Sequence, residues 1–325
     1  MLHLLGLGHF HPENVLDNTF FESLDIGTTE EWILTRVGIH TRRTVLPLDY
    51  LRQTKNADPR AAEEAAQHTN AQTGAKAAQM AIERAGIRKD DIGLVIAGGC
   101  SPRWSIPAES SLVAKELGIE VPAFDMHAAC STFGLHLHYL STMGEALPDY
   151  VLCLCIENNT RVIDYRDRSS CVLWGDGTTA AVVSTKHPGR AAMVSSLFGG
   201  SPAGALDVTV PRYGFFAQNG SKVQKFAIKR MLRLLKESQA GSTVPEDVVY
   251  VGHQANLTML KSVAKRAKIA DGKHWFNIDR YGNQGSAGAP AVISQRWADI
   301  AAGTEIATVV VGSGLSWSRL RLRFN

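Results

Sequence analysis

The sequence predicts an α/β protein built from two duplicated halves. Three observations predict it. Strand-like and helix-like segments alternate along the chain, the pattern of an α/β domain. The strand-like runs, such as Leu94-Val-Ile-Ala97 and Val151 to Ile156, are rich in Val and Ile without polar alternation, as in sheets covered on both faces. The plan then recurs. Val248-Val-Tyr-Val251 resembles Leu94 to Ala97, Leu257 to Ile269 matches the helical stretch Glu109 to Leu117, Trp275 to Asp279 matches Pro122 to Met126, and Ala307 to Val311 matches Val151 to Ile156. Phe276 follows Phe124 at nearly the same distance along the chain as Val249 follows Val95. So long a period means a duplicated domain, not a solenoid. The boundary falls near residue 185, giving halves 1–184 and 185–325.

Taken in order, residues 2–8 read as a first strand. Thr28-Thr-Glu-Glu31 reads as a capping box with Thr28 as the cap, opening a helix that carries Trp32 and Arg36 and stops at Gly38. Leu46 to Asp58 is mixed and polar, a surface loop. Ala61 to Gly86 is an alanine-rich helix ended by Gly86. Ile92 to Ala97 is a buried strand, Gly98 to Pro107 a loop, and Glu109 to Leu117 a helix stopped by Gly118. Val121 to Met126 is extended, and a helical pattern follows Cys130. Tyr150 to Glu157 is a strand. Cys171 to Trp174 and Thr178 to Ser184 read as two strands about the turn Gly175-Asp-Gly177. His187 to Pro211, rich in Gly, Ser and Pro, reads as a variable connection between the halves.

Composition narrows the function. A chain of 325 residues exceeds what one small core usually holds. With 45% apolar and 20% charged residues it is an ordinary globular composition, and a net charge of +3 is too slight to imply nucleic acid. No apolar run approaches a membrane span. Met1 to Leu7 lacks a basic leader and reads as a strand, not a signal peptide. The five cysteines, Cys100, Cys130, Cys153, Cys155 and Cys171, are odd in number and lack framework spacing. Cys153-Leu-Cys155 without partners is a poor metal signal. A reducing cytoplasm is expected, and no metal site.

The chemistry concentrates on Phe124-Asp-Met-His-Ala-Ala-Cys-Ser-Thr-Phe-Gly134. An extended run turns through two alanines onto Cys130, at the start of a helix. Free amides and the positive dipole end favour an anion there, and the thiolate is the nucleophilic form. A buried structural cysteine is the bland alternative. The duplication places two further turns, Gly252-His-Gln-Ala-Asn256 and Tyr281-Gly-Asn-Gln-Gly285, at strand ends. Cysteine with histidine makes a nucleophile and a proton partner, and asparagine supplies a neutral donor for an enolate or carbonyl oxygen.

On these residues the chain resembles the β-ketoacyl-acyl-carrier-protein synthase III family of the thiolase superfamily. The motifs are Thr29-Glu-Glu-Trp-Ile-Leu-Thr-Arg-Val-Gly-Ile39, Asp125-Met-His-Ala-Ala-Cys130, Trp174-Gly-Asp-Gly177, His253-Gln-Ala-Asn256, Tyr281-Gly-Asn283 and Gly312-Ser-Gly-Leu-Ser-Trp317. The resemblance implies a five-layered αβαβα fold and a homodimer. It implies a Cys130–His253–Asn283 triad, with an oxyanion hole from the amides of Cys130 and Ser313, the latter where the family usually has glycine. It implies Claisen condensation between an acyl group on Cys130 and a second thioester. It implies acyl-CoA or acyl-ACP substrates, an acyl carrier protein as partner and no cofactor, while the composition already speaks against nucleic acid and a membrane.

The same resemblance puts Trp32 and Arg168 around the adenine end of coenzyme A, Arg36 at the tunnel entrance and Asn256 beside the substrate. Ile106 falls in the loop that reaches the partner's acyl pocket. Acetyl-specific members carry phenylalanine where Ile106 stands, and many carry an arginine where this chain has Thr258. Both differences speak against acetyl-CoA priming and for a specialised, secondary-metabolite synthase. Asp176 reads as a turn residue rather than a triad acid, and His127 as a local packing residue. Two basic runs, Lys222 to Arg233 and Lys261 to Lys268, are either solvated faces or, for the second, a docking surface for an acidic carrier. Acyl transfer to an alcohol or amine, and a silent subunit of a heterodimer, remain alternatives. Asn283 and the intact triad weigh against them, and against a cysteine hydrolase.

Overall fold

The structure, a computed structural model, describes residues 1–325. Nine strands form its main sheet. Those of the first half are β1 (His3–Phe10), β2 (Ile92–Gly98), β3 (Ala123–Asp125), β4 (Tyr150–Glu157) and β5 (Gly177–Ser184). Those of the second are β6 (Ala191–Gly200), β7 (Val249–Gly252), β8 (Glu305–Gly312) and β9 (Ser316–Phe324). The spatial order is β7-β8-β9-β6-β1-β5-β4-β2-β3. Each half repeats the other. β2 pairs in parallel with β3 and β4, while β4–β5 and β5–β1 are antiparallel. In the second half β7–β8 is parallel, β8–β9 and β9–β6 are antiparallel, and Tyr250 bridges His274 in parallel where β3 would stand. The halves join where β1 meets β6, at His3 opposite Ala192 and Leu4 opposite Ala191.

Helices complete five layers around three cores. The inner layer holds α4 (Thr132–Met143) and α7 (Gly288–Gln295), and its core runs from Leu2 and Leu4 through Leu137 and Leu140 to Val292 and Leu320. The outer layer on the first half holds α2 (Asn70–Ala85) and α3 (Glu109–Leu117), with Ala77, Ala81 and Val113 against Val95, Leu152 and Val182. The opposite outer layer includes α1 (Glu30–Val37), α5 (Gly220–Ala240) and α6 (Leu257–Arg266). Helices of the inner layer face apolar sheet on both sides, so the first half of α4, Thr132 to Leu137, is buried all round. Gly134 permits that closeness, because a Cβ there would lie 2.2 Å from the Ser318 side chain. His136, inside the same helix, donates Nε2–H to Met126 O at 2.6 Å, and burial lowers its pKa to about 4, so it is buried neutral.

Several local expectations need correction. Residues 191–200, expected within the variable connection, form β6, whose first residues Ala191 to Met193 are buried against the neighbouring strands. Cys171 to Trp174, expected as a strand, instead ends a short helix over 168–171 capped by Asp167 and continues as a turn to the isolated bridge at Trp174. Leu48–Thr54 is helical where a loop was expected. The single helix expected over 61–86 is two, Pro59–Ala65 and α2, because Thr69 and Gln72 make a capping box that starts α2 afresh. The cap of α1 is Thr29, which accepts from Trp32 N, rather than Thr28; Gly38 ends the helix at φ 71°.

Candidate active site

Cys130 stands on a sharp elbow between β3 and α4. Ala129 takes φ +48°, a region that L-residues seldom occupy. Thr132 pins the turn, its Oγ1 accepting from Ala128 N at 2.9 Å and donating to Ala129 O at 2.6 Å. Ser131 caps α4 without a side-chain hydrogen bond, so the first amides of the helix are not spent on it. The Cys130 thiol is held well below the usual thiol range. A hydrogen bond from Cys100 is the largest cause, and His253 adds charge and a hydrogen bond, while burial opposes them.

His253 follows β7 directly and its backbone N–H donates to Val309 O at 2.9 Å. The ring is 7% exposed and its Nδ1 has no partner. The Asn283 backbone is tied to the Leu173–Gly175 turn, donating to Leu173 O at 2.8 Å and accepting from Gly175 N at 3.1 Å. Its Oδ1 accepts from Gly285 N at 3.0 Å. That bond fixes the amide so that Nδ2 is the group left to donate, as an electrophilic partner for a substrate oxygen requires.

Two cavities meet at Cys130. The outer, about 270 Å³, is lined by His253, Asn283 and Asn256 with Met259 and Ala227. The inner, about 210 Å³, is lined by Cys100, His127, Val162 and Ile163. Trp174, Val208, Phe216 and Ser313 line both, as does Cys130 itself. Ser313 Oγ donates to Val208 O at 2.6 Å, which ties the turn after β8 to the segment covering the cavities. The nucleophile therefore stands where a chamber holding the histidine and asparagine meets one that holds neither, both lined mainly by apolar residues.

Two family models match the chain: 3-oxoacyl-[acyl-carrier-protein (ACP)] synthase III over residues 124–201, and the C-terminal part of the same synthase over residues 238–324. A β-ketoacyl-[acyl-carrier-protein] synthase III of Symbiobacterium thermophilum is 31% identical, with 99% of this chain and 97% of that protein covered. The protein of the same description from Chlamydia caviae is 30% identical over 97% of this chain and 95% of its own. The chain belongs to the 3-oxoacyl-[acyl-carrier-protein] synthase III family. It is thus an acyltransferase of the ketosynthase kind. The 3-oxoacyl-[acyl-carrier-protein] synthase III of Aquifex aeolicus superposes with a TM-score of 0.88 at 27% identity, covering all of both chains. The priming β-ketosynthase of the R1128 polyketide pathway gives 0.82 at 26%, over 100% of this chain and 96% of that one.

The remaining residues of this synthase III chain lie at varying distances from the chemistry. The Arg168 guanidinium sits 5.0 Å over the half-buried Trp32 ring and donates to Gly27 O. Neither residue lines either of these two cavities, but Val37 on the Trp32 helix and Ser169 beside Arg168 line the outer one. Arg36 is exposed, and its carbonyl accepts from Asn256 Nδ2 at 3.4 Å. Asn256 caps α6, accepting from Met259 N at 3.1 Å. Thr258, in place of the arginine common in the family, gives its hydroxyl to Asn256 Oδ1 at 2.5 Å. Ile106 is 84% exposed and lines neither of the two cavities. Lys225, Lys229, Arg233 and Lys236 of α5 share one shallow surface with Arg266 of α6 and with Glu237, so the second basic run joins the first there through Arg266. No three His, Cys, Asp or Glu side chains gather as a metal set, and no helix is long and apolar enough to cross a membrane.

Asp176 lines neither cavity. It is fully buried, where it accepts from Val45 N at 2.8 Å, Thr160 N at 2.8 Å and Thr160 Oγ1 at 2.6 Å. It clamps two distant segments from within the core rather than shaping the local turn expected from Gly175-Asp-Gly177, where no turn forms. Sequence reasoning missed Trp174 and Phe216, whose rings pack edge to face with centroids 4.7 Å apart across both cavities. It also missed Cys100 and Glu157, although a lone acid closing an apolar strand was a visible signal.

Proposed function

We propose that this ketosynthase joins an acyl group to a second thioester in two stages, with Cys130, His253 and Asn283 as its catalytic residues. The observation that carries this reading is the position of Cys130 between two cavities, with His253 and Asn283 on the outer side only. An acyl thioester enters through the outer cavity and the Cys130 thiolate attacks its carbonyl. The C–S bond to the carrier breaks, the carrier leaves as its thiolate, and the acyl chain lies in the inner cavity. A malonyl- or β-ketoacyl-type thioester then occupies the outer cavity. His253 and Asn283 Nδ2 donate to its carbonyl oxygen; with a malonyl group, CO₂ departs and leaves an enolate. The enolate carbon attacks the acyl–Cys130 carbonyl. Amides of Cys130 and Ser313 hold the oxyanion until the C–S bond breaks and the thiolate returns.

The substrates in this proposal are acyl-CoA or acyl-ACP, with Trp32, Arg36, Asn256 and Arg168 around the carrier end and no bound cofactor. The partner is an acyl carrier protein, met at the basic face of α5 and α6. The two halves, 1–184 and 185–325, act as domains that each supply part of the triad. A homodimer forms through the edge strand β3, where Phe124, Trp104 and Ile106 are exposed, and Ile106 then lies in the partner's acyl pocket. The pathway is fatty-acid-like or polyketide-type, in a reducing cytoplasm that keeps all five cysteines as thiols. Single-turnover assays of His253→Ala and Asn283→Ala test the division of labour. Both variants should load acyl groups, and each should lose condensation by roughly 10²–10³-fold, as expected for removal of one oxyanion donor. Normal product formation by either variant overturns these roles.

A further inference from the structure

Glu157 ends β4, is wholly buried and lines neither cavity. Four neutral donors meet its carboxylate. Oε1 accepts from Ser286 N at 2.8 Å and Ser286 Oγ at 2.5 Å, and Oε2 from Cys100 N at 3.0 Å and Asn159 Nδ2 at 2.8 Å. The Cys100 thiol adds a longer contact to Oε1 at 3.5 Å. A carboxylate only accepts, so donors on both oxygens fit the ionised form. Burying that charge on neutral donors alone is costly. Burial and the Cys130 charge push the carboxyl up to about 7, against the bonds from Ser286 and Cys100. What the charge secures is the meeting of three segments: the end of β4, the loop after β2 and the turn that follows Asn283.

That turn controls the Asn283 side chain. Asn283 Oδ1 accepts from Gly285 N at 3.0 Å, which leaves Nδ2 as the donor beside the outer cavity. Gly285 in turn rests on Glu157. It takes φ +53°, and a Cβ there would fall 2.6 Å from Glu157 Cδ, so the backbone lies directly against the carboxylate. The next residue, Ser286, has both of its donors on Oε1. Gly285 is therefore fixed on one side to Asn283 and on the other to Glu157. The bonds of Asn283 to Leu173 and Gly175 hold its main chain but not its amide.

We propose that Glu157 is a positioning residue for condensation: its carboxylate anchors Ser286 and, through the Gly285 amide, keeps Asn283 Nδ2 aimed at the thioester oxygen of the second substrate. Glu157 touches no reacting atom, and no bond or proton changes there. The idea rests on the reading that Asn283 serves the second thioester and not loading.

Glu157→Gln tests it with little change of volume. The glutamine NH₂ finds an acceptor only on the Ser286 side, where the hydroxyl can turn to receive it. Its oxygen then stays with Cys100 and Asn159, and the Ser286 N–H loses its acceptor. Gly285→Ala pushes the same turn off the carboxylate, and Ser286→Ala removes the hydroxyl bond alone. At pH 8, loading from acyl-CoA is read by the mass of the Cys130 peptide, and condensation by single turnover of the preloaded protein with malonyl-ACP. Glu157→Gln and Gly285→Ala should load within about twofold of native. Both should condense roughly 10–100-fold more slowly, since a misplacement of about 1 Å can cost 10²-fold. Ser286→Ala should fall between them and native. In an Asn283→Ala background, Glu157→Gln should cost no further condensation, because the group it positions is gone. Native condensation in Glu157→Gln, equal losses of loading and condensation, or a full further loss in the double variant overturns the proposal. Normal condensation by Asn283→Ala alone would instead overturn the catalytic reading beneath it.

Discussion

Replacing Asp176 by asparagine separates a structural acid from a catalytic one. Oδ2 of Asp176 receives both Val45 N and Thr160 Oγ1, while Oδ1 receives Thr160 N. An asparagine whose oxygen keeps the first pair turns its NH₂ toward Thr160 N–H, donor against donor. A buried group left so costs about 1–3 kcal/mol. The pH dependence adds a second signature. Burial raises the Asp176 pKa from 3.8 to about 6. Between those values the native state binds more protons than the unfolded one, so stability falls as pH rises. Two pKa units correspond to about 3 kcal/mol, all of it lost by the time pH exceeds the folded value. Asparagine removes this dependence. Urea denaturation from pH 4 to 7.5 should show Asp176→Asn less stable than native at pH 4, with the gap closing or reversing by pH 7. The folded variant should still load acyl groups. A gap that widens with pH refutes the raised carboxyl. Lost loading in a folded variant refutes the structural role.

Two further outcomes follow from the same geometry. Ile106→Phe should shift loading from medium or long chains toward acetyl, because a ring in the partner's pocket closes space; four buried methylenes are worth about 3 kcal/mol, roughly two orders of magnitude. Comparing acetyl, hexanoyl and decanoyl donors checks this, and an acetyl preference in both proteins refutes it. Arg233→Glu with Arg266→Glu should raise KM for an ACP-borne substrate several-fold and weaken its salt dependence, leaving acyl-CoA loading near native; equal effects on both substrates would show the basic face to be a solvated surface.

Much of the site was legible because its signals are local. The helix Glu109–Leu117 and the strand Tyr150–Glu157 appear with the expected bounds, since glycine stops and unbroken apolar runs are short-range features. The Cys130 elbow was legible for the same reason. β6 was not: its second half, Ser195 to Gly200, has the composition of a linker, and its strand conformation comes from pairing with β9. The four-residue helix at 168–171 is too short to show a period. The break before α2 was in view, because Thr69 and Gln72 carry the capping-box spacing, yet the alanine run on either side masked it. Cys100 and Glu157 meet through the register of β2 on β4, where Gly98 lies opposite Cys155. No pattern within either strand encodes that register. Trp174 likewise reads as a turn residue until the cavities around it are seen.

The most direct test of two-stage condensation is the mass of the Cys130 peptide after incubation with a panel of acyl-CoA and acyl-ACP donors, before and after malonyl-ACP is added. The mechanism predicts an acyl adduct on Cys130 alone, absent in Cys130→Ala, that clears on addition of the second thioester as a 3-oxoacyl product appears in equal amount. An adduct on another residue, or a Cys130 adduct that persists while product forms, would contradict it.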